Sequence, residues 1–194
     1  MNKKKEQYQI THNKIITTVT DMLNTIPFEA MTVRDICKKC NISIGTFYHH
    51  FQNKEEILQM EYEYFDNTLR EHFLAEKSFD SSREKLLYLF EVELLSIHDI
   101  GHYAATQIFR TQLLFDKPFI LEENRFFYEE LTATAREYLF EYQIKESPQD
   151  LIGELLRISR GNIYDWCLHH GSYDLVEVAL NTIKKILIYT ESIT

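Results

Sequence analysis

Apolar positions recur at three- and four-residue intervals along nearly the whole chain, so the pattern predicts helices almost throughout. Ile15, Ile16, Val19, Met22 and Leu23 lie on one face of a first helix that must stop before Pro27. The spacing then tightens. Thr32 is placed to cap a short helix with Asp35 three residues on, and Asn41 ends it with the residue that, after glycine, best tolerates a left-handed backbone. Ser43 caps a second short helix through His50. Asn53, with Glu56 three residues later, opens a longer helix that carries Ile57, Leu58, Tyr62, Tyr64 and Phe65.

Beyond Asp80-Ser81-Ser82 the periodicity predicts five further helices, roughly 83–98, 102–115, 118–144, 148–170 and 173–191. Gly101, Pro118, Ser147-Pro148 and Gly171 supply the breaks. With only five glycines and three prolines there is no room for a low-complexity linker, and no internal repeat is visible. The expected fold is all-α: an N-terminal three-helix head, residues 1–53, joined to a C-terminal helical body, residues 54–194.

Charge sharpens that division. The net charge of −9 argues against a nucleic-acid partner until its distribution is considered. Residues 1–54 carry eight Lys and Arg against four acids, leaving −13 for the remainder. A basic head on an acidic body is the asymmetry expected when one end meets DNA. At 194 residues and 44% apolar composition the chain can bury a core, and no apolar run reaches the roughly 18 residues of a membrane span. Polar residues follow Lys3-Lys4-Lys5 where a secretory signal would be apolar, and three cysteines suggest no disulfide framework. Both features lead to the expectation of a cytoplasmic protein without a membrane partner.

From Met31 to Leu58 the sequence is Met-Thr-Val-Arg-Asp-Ile-Cys-Lys-Lys-Cys-Asn-Ile-Ser-Ile-Gly-Thr-Phe-Tyr-His-His-Phe-Gln-Asn-Lys-Glu-Glu-Ile-Leu. Two short helices joined by a tight turn, with Val33, Ile36, Cys37, Cys40, Ile42, Phe47 and Phe51 able to share one small core, make a helix-turn-helix. The segment resembles the DNA-binding pattern of the tetracycline-repressor (TetR) family, above all in Ser43-Ile44-Gly45-Thr46-Phe47-Tyr48-His49-His50-Phe51 and the following Asn53-Lys54-Glu55. The match is dense over about 45 N-terminal residues and loose afterwards. Cys37 and Cys40 stand where a small apolar residue is usual, and Asn41 stands where glycine is usual; neither substitution disturbs the fold.

The resemblance implies a recognition helix with Ile44, Gly45, Thr46, Tyr48, His49 and His50 at DNA-facing positions. The chemistry agrees. Gly45 admits the sugar-phosphate backbone, Thr46 and Tyr48 offer hydroxyls to phosphate, Ile44 suits a thymine methyl and His49 can meet a base edge. The resemblance also places Arg34 at a family position that can read guanine. Lys54 offers a phosphate grip, and Thr32 and Ser43 combine capping with phosphate contact. The resemblance further implies a homodimer on double-stranded operator DNA, a small-molecule effector held in the body, and regulation, most often repression.

In the body, Tyr62, Phe65, Phe109, Phe127 and Trp166 are the aromatic candidates for an effector cavity, with Phe73 further along the same helix as Tyr62 and Phe65. His98, His102, Arg110 and Asn162 are the polar candidates. The last helix is apolar over more than one stripe, which suggests a partner-facing surface formed by Leu155, Ile158, Val178, Ile183, Ile186 and Leu187. Cys37-x-x-Cys40 lacks the second ligand pair that zinc requires, and His98 and His102 lack a glutamate and a continuous helix. The sequence therefore predicts no metal and no cofactor. It also predicts no enzyme, since no nucleophile, base and orienting group can be read from spacing. The competing readings are a constitutive DNA-binding protein without effector and a small helical metal-dependent enzyme.

Overall fold

The computed structural model describes residues 3–73 and 78–192. Among these residues the secondary structure is helical, without a strand. The α-helices are α1 (Lys3–Leu23), α2 (Val33–Cys40), α3 (Ile44–His50), α4 (Glu55–Phe73), α5 (Ser82–Ile100), α6 (His102–Gln112), α7 (Phe126–Glu141), α8 (Pro148–Leu168) and α9 (Leu175–Ser192), with short 3-10 turns at Phe28–Ala30 and Phe119–Leu121.

Two compact units result. The first holds the described residues up to Phe65 together with Tyr103–Leu121. Within it, α1 packs on α2 and α2 on α3. The Thr32 hydroxyl accepts the Asp35 N–H at 3.2 Å while the Asp35 carboxylate accepts the Thr32 N–H at 3.1 Å, a closed capping box. Asn41 takes φ 53° and ψ 50°, the left-handed step that turns the chain from α2 into α3. Ser43 then caps α3 by accepting the Thr46 N–H at 2.9 Å. The Asn53 side chain accepts the Glu56 N–H at 2.9 Å, but the Glu56 carboxylate reaches Gln52 N–H at 2.6 Å instead of closing the box on Asn53. Ile15, Ile16, Val19, Leu23, Ile36, Cys40, Phe47, Phe51, Ile57 and Leu58 form the core. Each large apolar side chain so buried contributes about 1.5–3 kcal/mol.

The second unit, Asp66–His102 and the described residues from Glu122 onward, is a helical bundle in which α5 packs on α7, α8 and α9, and α8 packs on α7 and α9. Leu86, Leu89, Phe90 and Leu94 of α5 meet Leu131 and Tyr138 of α7 and the stripes Leu151–Leu155–Ile163 and Leu175–Ala179–Ile183–Leu187 in its core. Polar ties cross the bundle. Asp66 receives two bonds from the Arg125 guanidinium at 2.8 and 2.9 Å, Ser159 donates to Glu93 at 2.7 Å, and the Tyr138 hydroxyl lies 3.0 Å from the Leu187 carbonyl.

Two expectations need correction here. The continuous helix expected over 118–144 is a 3-10 turn, a stretch of coil and then α7. The backbone leaves helical geometry at Arg125 (φ −71°, ψ 143°), whose side chain is buried against Asp66. The second concerns the partner-facing residues. Leu155, Ile183 and Leu187 are fully buried within their own unit, because the four-residue spacing 175–179–183–187 is the stripe that α9 turns to α5 and α8. Val178 is exposed, and Ile158 and Ile186 are half-buried.

Candidate nucleic-acid interface

The helix α3 has two unlike faces. Phe47 is buried on one, while Ile44 and Tyr48 are 43% and 56% exposed on the other, with Gly45 and His49 exposed beside them. Thr46 and His50 sit at the margins, half-buried. The four outward residues fall at i, i+1, i+4 and i+5, one side of a helix. Leaving Ile44 and Tyr48 in water forgoes apolar burial that the core residue Phe47 enjoys, so this face is not explained by packing. At its N-terminal end, the Ser43 and Thr46 hydroxyl oxygens lie 2.8 Å apart. Arg34 and Thr32 are exposed at the start of α2, and Lys38 and Lys39 are exposed at its end.

Lys54 departs from its expected role. Its ammonium donates to the carbonyls of Phe28 at 2.8 Å and Met31 at 2.9 Å, and lies 4.6 Å from the centroid of the Phe28 ring. Two of its three donors are thus spent fastening the Phe28–Ala30 turn to the start of α4. The third donor remains for another acceptor.

Two residues overlooked in the sequence reading lie against the recognition helix. The Tyr8 ring sits 4.3 Å from the His50 ring and edge-on to His49 at 5.7 Å. His12 stacks on the buried Phe51 at 4.6 Å and lies 5.8 Å from His50. Burial pushes the pKa of His12 and of His50 below the ordinary 6.5; Glu63 and Glu56 oppose the shift at His12, and His12 and His49 reinforce it at His50. The available signal was the spacing of Tyr8 and His12, four apart on one helix face.

The effector candidates fall into separate groups. In the first unit Tyr62 packs on Phe119 at 6.1 Å, Phe65 and Phe109 are half-buried, and Arg110 is on the surface in an ion pair with Glu29 at 2.9 Å. In the second unit His98 and His102 lie 6.0 and 6.1 Å from the buried Trp166, whose indole N–H donates to the Tyr173 carbonyl. Phe127 is in the core, edge-on to Phe90, and the Asn162 amide donates to its own helix at Ile158. The side chain of Phe73 lies outside the described residues. Glu93, which spacing did not single out, is half-buried at the α5–α8 contact, where desolvation pushes its pKa above 4.5 against the opposing hydrogen bond from Ser159. Among the described residues no three His, Cys, Asp or Glu side chains converge as metal ligands, and no helix is long and apolar enough to cross a membrane.

Residues 15–60 match the sequence model of the bacterial regulatory proteins of the tetR family. The HTH-type transcriptional regulator UidR of Escherichia coli (strain K12) is 34% identical over 59 residues, which are 30% of this chain and 30% of that protein. The uncharacterized HTH-type transcriptional regulator YerO of Bacillus subtilis (strain 168) is 38% identical over 65 residues, 34% of this chain and 20% of that one. The likeness to these relatives therefore spans less than a third of their length. A solved structure from Rhodococcus sp., assigned to the TetR family of transcriptional regulators, superposes with a TM-score of 0.69 over 93% of this chain and 98% of that one. At 16% identity it shares the fold. The helix-turn-helix of α2 and α3 thus lies inside the segment that matches the tetR-family model, and the all-helical fold is the one seen in the Rhodococcus structure.

Proposed function

We propose that the protein is a ligand-responsive transcriptional repressor, working in the cytoplasm as a homodimer on a palindromic operator and released by a small-molecule effector. The observation that carries this reading is the outward face of α3, where Ile44, Tyr48 and His49 stand in solvent around a glycine. A Cβ added at Gly45 would meet nothing closer than the Ser43 hydroxyl at 3.7 Å. The domain's own packing therefore does not require glycine there, and a closely approaching sugar-phosphate chain would. Arg34 and His49 read base edges, Thr32, Ser43, Thr46 and Tyr48 hold phosphates, and His50 borders the contact. Residues 1–53 carry this DNA-binding role, and residues 54–194 carry effector binding and dimerisation.

Dimerisation is supported by the exposed apolar residues that remain once the core stripes are removed. On α8 and α9 these are Tyr164, Leu168, Val178, Ile188 and Tyr189, between 42% and 67% exposed. Ile158 and Ile186 flank them. A two-fold pair of such surfaces is self-complementary and would bury them. The α4 helix contributes residues 55–65 to the first unit and the rest of its length to the second. A ligand that favours one position of this helix would change operator affinity, with a coupling of about 1–3 kcal/mol, or roughly 5- to 150-fold.

Selection of bound sequences from random duplex DNA tests the proposal. The expected result is a palindrome whose half-sites are about 34–36 Å apart. Enrichment of no sequence, or of an asymmetric one bound by monomer, would sink it. A compound screen on the selected operator then separates the repressor from a constitutive binder, which no compound releases.

A further inference from the structure

We propose that Tyr8 and His12 of α1 are positioning residues for DNA reading, fixing His49 and His50 at the C-terminal end of the recognition helix in one orientation. This rests on the DNA-contacting role of α3 proposed above. Both residues precede the segment, 15–60, that matches the family.

The helix α3 has seven residues, and its last backbone bond runs from the Phe51 N–H to Phe47. A helix of that length has little stability of its own, so the side chains at its end take their order from what packs against them. His49 is exposed, and among the described residues no hydrogen bond selects its rotamer. An exposed side chain that must meet a base edge loses rotamer freedom on binding, and ordering it beforehand removes that cost.

The structure supplies the ordering contacts as a run of rings. It starts at Phe51, which is 2% exposed and anchored in the core. His12 stacks on Phe51 with 15° between the planes, Tyr8 stacks on His12 at 5.8 Å and 18°, and Tyr8 then meets His50 at 4.3 Å and His49 edge-on at 84°. A rigid part of the core is thereby linked by ring contacts to the residue that faces DNA. The Nδ1 atoms of His12 and His50 are both buried without a hydrogen-bond partner in the protein. These rings are held by packing, as neutral aromatics, and a charge on either would need an acceptor that the site does not offer.

This gives the positioning a pH signature. The charged or titratable groups facing the pair are Tyr8 on α1, His49 on α3, and Glu56 and Glu63 on α4. The two glutamates favour a charged His12, but His12 and His50 oppose one another's charge across 5.8 Å. Burial also favours the neutral forms, so the run of rings is set at neutral pH and loosens on acidification.

The test uses the full chain, the duplex selected above and a scrambled duplex of the same length. Tyr8→Ala should weaken operator binding about tenfold, in the range of one lost base contact, and leave scrambled-DNA affinity and helical content unchanged. Tyr8→Phe should restore the operator preference, because the ring and not the hydroxyl does the positioning. Between about pH 7.5 and about pH 5.5 the wild-type preference for operator should fall, and His12→Gln should flatten that fall. Equal loss on both duplexes, no loss in Tyr8→Ala, or a Tyr8→Phe as damaged as Tyr8→Ala would overturn the assignment. A wild type that prefers no duplex would defeat the DNA-contacting role itself. That outcome is distinguished by NMR titration of the free protein, where Tyr8→Ala still moves the His50 titration if the rings pack as described.

Discussion

The helix-turn-helix and the helical bundle are held by different kinds of polar contact. In the former the bonds are mostly short-range: Thr32 with Asp35, Ser43 with Thr46 and Asn53 with Glu56, each three residues apart. In the bundle the decisive ones are long-range: Asp66 with Arg125, Ser82 with Glu141, Glu93 with Ser159 and Tyr138 with Leu187, separated by 49 to 66 positions. Short-range bonds fix where a helix starts and stops. Long-range bonds fix which helix lies beside which. A short helix such as α3 needs the first, because its ends are fixed by its caps; a bundle of long helices needs the second to set its packing order.

The contrast is broken most severely at Arg125. Arg125→Met leaves the Asp66 carboxylate buried without its partner and should cost about 3–5 kcal/mol, whereas Asp66→Leu combined with Arg125→Met should regain most of that loss. Denaturant melts of the three variants decide it. If the single and double variants are equally damaged, the pair contributes packing and not charge compensation.

Lys54 supplies long-range bonds beside the helix-turn-helix. Lys54→Met keeps the stem, takes the side-chain donor from the Met31 carbonyl and leaves the Phe28 carbonyl with the Met31 N–H alone, which should cost about 1–3 kcal/mol. Operator and scrambled duplex should then lose affinity in step with the folded fraction. Loss of DNA affinity at full stability would return the lysine to the phosphate backbone.

A smaller effect is expected at Thr32. Thr32→Ala removes one cap and should cost about 1 kcal/mol, visible as earlier hydrogen exchange in the first turn of α2. Unchanged protection there would mean that the short-range bonds do not carry the helix ends.

The mildest test is the pH dependence. His12 and His50 have folded pKa values below 6.5, so the folded state binds fewer protons than the unfolded one between those values and 6.5. The stability they contribute is present above 6.5 and is lost as the pH falls through the folded values. Glu93 is shifted the other way, above 4.5, so its linkage favours folding below 4.5 and is lost as the pH rises through its folded value. Mild acidification should therefore loosen the residues around α3 while the bundle gains from Glu93. Hydrogen exchange at two pH values resolves them, and parallel changes in both would contradict the assignment.

The same division explains what could be read from the chain. The caps at Thr32 and Ser43 and the left-handed Asn41 are legible because each is written within four residues. The start of α7 is not, because it depends on Arg125 meeting a carboxylate 59 positions earlier. Periodicity shows that α9 has more than one apolar stripe but not which stripe its neighbours cover; the unbroken four-residue spacing through Leu187 was the overlooked clue. The intramolecular bonds of Lys54 were illegible for a similar reason. A lysine at the start of a helix has the chemistry of a phosphate ligand, and the two carbonyls it also binds lie 23 and 26 residues away in the sequence.

The two sulfurs under the recognition helix have a further consequence. Cys37 and Cys40 are 4% and 0% exposed, the Cys37 thiol donates to the Ser43 carbonyl at 3.7 Å, and burial pushes its pKa above the ordinary 9.0. Cys167, in the bundle, is only half-buried. An alkylating reagent added to the native protein should consume Cys167 at once and the other two only when the segment opens, so their labelling rate is an intrinsic clock for breathing of the α2–α3 turn. Operator duplex should slow that clock by the factor with which it stabilises the closed form, which allows DNA binding to be measured through sulfur chemistry without any label on the DNA.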